Sequence, residues 1–136
     1  MTRTTLALAL MLMFCATASA ERPHGLDARD SAGVWTGLTT GTFQGQPYAS
    51  VSVVTIADDG WSATVRDDST LGPLASSCTV LRFSPAGEAL AHCTFTSGVA
   101  TGGTFDVHYL LTDRQRHIKL WVSNPALHAV SDLTQP

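Results

Sequence analysis

Several sets of side chains in this 136-residue sequence have the types and spacing to do chemistry. Ser123, His108 and Asp106 are the components of a hydrolase triad, in which Ser123 would attack, His108 would take its proton and Asp106 would orient the imidazole. Cys78 and Cys93 flank the turn signal Ser84-Pro85-Ala86-Gly87 and could form a staple, a redox pair or part of a metal site. Asp58-Asp59 and Asp67-Asp68 are the paired carboxylates that a calcium site would draw on. The histidines, His24, His92, His108, His117 and His128, are the candidates for a transition metal.

Most of these lose their chemical reading once the positioning elements are considered. From Val34 onward apolar residues recur with period two between turn signals, which predicts strands and no long amphipathic helix. Eight strands are expected: Val34–Phe43, Tyr48–Ala57, Trp61–Asp67, Ser77–Phe83, Glu88–Ser97, Thr104–Thr112, His117–Ser123 and His128–Leu133. The two acidic pairs then fall at opposite ends of one strand, over ~25 Å apart at ~3.3 Å per residue. They cannot share an ion and read as solvated turns. No H-x-x-x-H or H-E-x-x-H pattern is present, so no metal or other cofactor is expected.

Three hairpins follow from register. A turn through Asp113-Arg114-Gln115-Arg116 pairs Thr112 with His117, and so gathers Phe105, Val107, Tyr109, Leu111, Ile118, Leu120 and Val122 on one face. A three-residue turn at Asp58-Asp59-Gly60 puts Val51, Val53, Ala57, Trp61, Ala63 and Val65 together. Leu38 joins them, opposite Val53, if the first hairpin turns at Gln44-Gly45-Gln46-Pro47. A turn at Ser84–Gly87 pairs Phe83 with Glu88, Leu81 with Leu90 and Cys78 with Cys93. Opposed non-hydrogen-bonded residues have Cα atoms about 4.5 Å apart, within disulfide range. The expectation is a structural disulfide, since C-x-x-C spacing is absent and His92 points away from Cys93.

The other face of the Thr104–Ser123 hairpin carries Asp106, His108, Leu110, Lys119, Trp121 and Ser123. A strand commits its N–H groups to the ladder, leaving no evident oxyanion hole, and no G-x-S-x-G elbow presents Ser123. Binding is the stronger expectation for this face, with Trp121 as contact anchor beside His108, Leu110 and Lys119.

Residues 1–20 read as a secretory signal peptide: Arg3, an apolar run too short to span a membrane, and small Ala18 and Ala20 before Glu21. A lipid anchor on Cys15 is disfavoured by bulky Phe14 before it. Cleavage leaves 116 residues with two cysteines, 7 Lys+Arg and 11 Asp+Glu, hence a net charge of −4. That is enough chain for one core-forming domain, in an oxidising compartment, without the basic patch a nucleic-acid partner requires. Asn124 precedes Pro125, so no N-glycosylation acceptor exists. Residues 21–33 read as a flexible lead-in and residues 34–136 as the folded domain.

Gly33-Val34-Trp35 resembles the G-x-W that opens the first strand of lipocalin- and avidin-type barrels. The resemblance implies an up-and-down barrel with the Trp closing one end. The late basic partner of that Trp is not identifiable among Arg114, Arg116 and Lys119. The reading is therefore an all-β, antiparallel meander closed into a small barrel with one disulfide, a β-sandwich being the alternative. Functionally, it predicts a periplasmic or secreted binding or inhibitor protein for a small ligand or a partner protein. The alternative is a small hydrolase using Ser123, His108 and Asp106.

Overall fold

A computed structural model describes residues 25–112 and 116–136. The expected signal peptide, residues 1–20, lies outside the described residues. Eight antiparallel strands follow one another around a closed barrel: β1 (Gly33–Phe43), β2 (Gln46–Ile56), β3 (Ser62–Ser69), β4 (Gly72–Phe83), β5 (Glu88–Ser97), β6 (Thr104–Thr112), β7 (His117–Ser123) and β8 (Leu127–Thr134). β1 pairs with both β2 and β8, so the sheet has no free edge. The alternative of a sandwich is excluded.

Alternation makes the core. Every second residue of β8 is buried, from Leu127 to Leu133, and the inward set of β6 and β7 is as expected, with Leu111 opposite Ile118 and Tyr109 opposite Leu120. An eight-stranded barrel is just wide enough for such side chains to fill. Closure at the β1–β8 seam depends on Gly37 and Gly41. A Cβ on Gly37 would lie 1.8 Å from the Asp132 carbonyl oxygen, and one on Gly41 1.8 Å from that of His128. Only glycine lets the backbones approach this closely.

Cys78 and Cys93 are paired and disulfide-bonded, with Cα atoms 4.1 Å apart. Both are buried inside the barrel. The β4–β5 ladder has irregularities on both sides of the bridge, at Ala75/Ser76 and Val80/Arg82. Bulges loosen register, so the bond pins the pairing where slippage would otherwise be cheapest.

The expected registers of three hairpins are corrected. Leu81 does not face Leu90. It is the extra residue of the second bulge, so Arg82 pairs with Leu90, and Phe83 pairs with Ala89 instead of the expected Glu88. The β1–β2 turn is the two residues Gln44-Gly45, with φ of 50° and 80°, the left-handed pair of a tight hairpin. Leu38 therefore faces Val51, not Val53, and stands 66 % exposed. At the β2–β3 turn the Ala57 N–H bonds the Ser62 carbonyl, making a four-residue loop that includes Trp61. Trp61 is held there by the Asp59 carboxylate, which accepts from its N–H, and by its carbonyl, which accepts from Val80. The shift pairs Val54 with Val65 and Ile56 with Ala63, so Val51 and Val53 leave the core face.

From residue 25 onward the expected flexible lead-in carries local structure. Ala28–Ser31 is a 3-10 turn whose capping box joins Asp27 and Asp30, with Ala28 and Ser31 buried. Leu26 bonds the Pro85 carbonyl across the barrel end.

Candidate functional site

The barrel is closed at one end and encloses a cavity along its axis. At the closed end Trp35 is fully buried, and its indole N–H donates to the Ser31 carbonyl at 2.8 Å. The Arg116 guanidinium lies 5.4 Å from the centre of the Trp35 ring, a cation–π contact. Arg116 is thus the basic partner that the sequence left open among three candidates. It also donates to the Gln135 side-chain oxygen, and Gln135 donates in turn to the Ala32 carbonyl at 3.1 Å. The lead-in, the β6–β7 turn and the C-terminal segment are so tied over one mouth. Tyr109 is buried at the same end. Burial pushes its phenol pKa up, while the nearby Ser31 hydroxyl opposes the shift, although no well-directed hydrogen bond forms.

Below this cap the side chains leave an interior cavity of about 90 Å³. One water needs roughly 10–15 Å³, so the space suits a molecule of about six to nine heavy atoms. Its wall on β4 to β7 is apolar apart from Ser76, and includes Val80, Ala91, Phe95, Val107 and Ile118 together with the disulfide. At the far end Phe95 and Phe105 pack with ring centres 4.7 Å apart. Val99 lines the cavity there and is exposed, which marks the end where the cavity reaches solvent.

The wall on β1, β2, β3 and β8 is different. Ser52 donates to the Asp67 carboxylate through a short hydrogen bond. The Thr39 hydroxyl bridges Ser52 at 2.7 Å and Ser131 at 2.6 Å, and Ser50 lies 3.3 Å from Ser52. Proton counting orders the chain. Ser52 spends its one proton on Asp67, so it accepts from Thr39, and Thr39 accepts from Ser131. Burial pushes the Asp67 pKa up, and the Ser52 and Ser50 hydroxyls pull against that shift. Tyr48 is pushed up to about 12, by burial first and then by the Asp67 charge. Sequence reasoning missed this polar wall. Its signal was Asp67 following Ala63 and Val65 at intervals of two, with Ser50 and Ser52 alternating on β2.

The residues singled out from sequence lie on the outer surface. His108 stacks on Trp121, ring centres 5.9 Å apart and planes 14° from parallel. Trp121 is 37 % exposed, Lys119 is exposed and Leu110 half-buried. The triad candidates are engaged separately: Asp106 bonds His92 at 2.7 Å, and Ser123 lies 3.2 Å from the His128 imidazole. No group of three metal-ligating side chains occurs among the described residues. Among those residues no helix is long and apolar enough to cross a membrane.

Compared with protein-family models, curated proteins and solved structures, the chain finds no match.

Proposed function

We propose that this chain is an exported, non-catalytic binding protein that holds one small, largely apolar molecule inside its barrel. The observation that supports this most is the interior cavity of about 90 Å³ with an apolar wall and one polar strip. Binding sites commonly combine apolar lining with a few placed polar groups. The signal-peptide reading and the buried disulfide suit a carrier working in an oxidising envelope or outside the cell. The hydrolase reading draws no support from Ser123, His108 and Asp106, whose side chains have other partners.

Filling the cavity tests the proposal. Ala91 and Ala129 point inward from β5 and β8 and line it. Ala129→Leu should abolish calorimetric binding of a small apolar probe such as hexanol while the chain stays folded. Undiminished binding in a folded Ala129→Leu variant would move the site out of the lumen.

A second reading, blockade of a partner protein, is favoured by one outer patch. Trp121 pairs with Val130 on β8, and Leu38 pairs with Val51 in the next row, all exposed. Trp121→Ala should then weaken capture of an envelope protein without affecting the lumen.

A further inference from the structure

We propose that Asp67 is the head-group anchor of the lumen and that the molecule it selects is a small alkyl amine, its ammonium on Asp67 and its tail along the apolar wall. This rests on the lumen-binding reading and names its ligand class.

Asp67 lacks a charged partner. Its hydrogen-bond partner is the Ser52 hydroxyl, with the Ser50 hydroxyl pulling on it as well, and among the described residues it forms no ion pair. Its strand neighbours Arg66 and Asp68 are exposed on the opposite face. Across the ladders it faces Ser52 on β2 and Leu74 on β4, neither charged. Thr39 and Ser131 line the same wall, Ser76 lines the cavity from β4, and Tyr48 is the titratable group whose pKa responds to Asp67. A carboxylate in apolar surroundings with neutral partners is costly to keep ionised. A bound cation removes that cost and adds a charge-assisted hydrogen bond.

The ordered hydroxyl chain prepares Asp67 as an acceptor. Every hydroxyl proton in Ser131, Thr39 and Ser52 is directed toward the carboxylate. One Ser52 proton uses only one of the carboxylate's roughly four lone-pair sites, so acceptor capacity is left for a donor supplied by the ligand. Phe43 and Tyr48 also line the cavity, and an aromatic ring met face-on attracts an ammonium. A divalent metal is a poor fit, since it needs several oxygen ligands with more charge than one carboxylate provides. A carboxylate ligand would be repelled.

The test is calorimetry on the oxidised protein at neutral pH with hexylamine, hexanol and hexanoate, which share one tail. Hexylamine should bind roughly tenfold or more tightly than hexanol, the ratio a charged hydrogen bond supplies, and hexanoate more weakly than either. Asp67→Asn should erase the preference for the amine. Equal affinity for amine and alcohol in the wild type overturns the anchor while leaving lumen binding intact. Binding of none of the three overturns both. The wild-type series decides the matter even if the variant does not fold, and a folded Asp67→Asn that retains the amine preference also overturns the proposal.

Discussion

Reducing the Cys78–Cys93 bond should lower stability by about 3 kcal/mol. The two cysteines are 15 positions apart, and closing a loop of that size restricts the unfolded chain by about that amount. Both side chains are buried, at 7 % and 1 % exposure, so reductant reaches them only on unfolding. The assay therefore denatures the protein in reductant, refolds it and compares urea titrations of the two forms, with mass spectrometry confirming two added hydrogens. With a urea slope of about 1–3 kcal/mol/M for a small domain, the midpoint should fall by about 1–3 M. The slope should also rise, because the reduced unfolded chain is more expanded. Coincident midpoints for fully oxidised and fully reduced protein would refute the argument. They would mean that the bulged β4–β5 ladder holds its register without the bond.

Gly37→Ala places a methyl 1.8 Å from the Asp132 carbonyl; it should cost about 3 kcal/mol or more by thermal melting, and a change under 1 kcal/mol would show that the seam can shift. Trp35→Phe removes the donor to the buried Ser31 carbonyl and should cost about 1–3 kcal/mol, again read from melting. Asp67→Asn tests the raised carboxyl pKa. The folded chain holds this proton more tightly than the unfolded one, so Asp67 lowers stability as pH rises from about 4 through the folded value, and the deficit persists above it. Urea midpoints should therefore favour the variant progressively from pH 3.5 to pH 7, and a gap that moves the other way would show the ionised carboxylate to be stabilising.

The meander, its closure and the disulfide were legible because period-two patterning and opposed cysteines constrain them strongly. β6 and β7 were read in register because Val107, Tyr109, Leu111, Ile118 and Val122 allow one apolar face only. β2 was not, because Ser50-Val51-Ser52-Val53-Val54-Thr55-Ile56 has β-branched residues at both parities. The wrong parity sent Ser50 and Ser52 outward and hid the polar wall. Asp67 has the right parity on β3, but an Asp-Asp pair at the end of a strand reads as a solvated turn. The Gln44-Gly45 turn was obscure because Gln seldom takes positive φ. The packed lead-in was missed because its polar sequence conceals a capping box, whose two side chains bond only locally.

The central claim is that the inside of the barrel is the binding site. Methyl-resolved NMR during a hexylamine titration tests it most directly, because inward and outward methyls alternate along the same strands. The account predicts saturable shifts at Val54, Val107 and Leu133, which face the lumen, and none at Leu38, Val51 and Val130, which face solvent. Shifts confined to the outward set, or none that saturate, would contradict it.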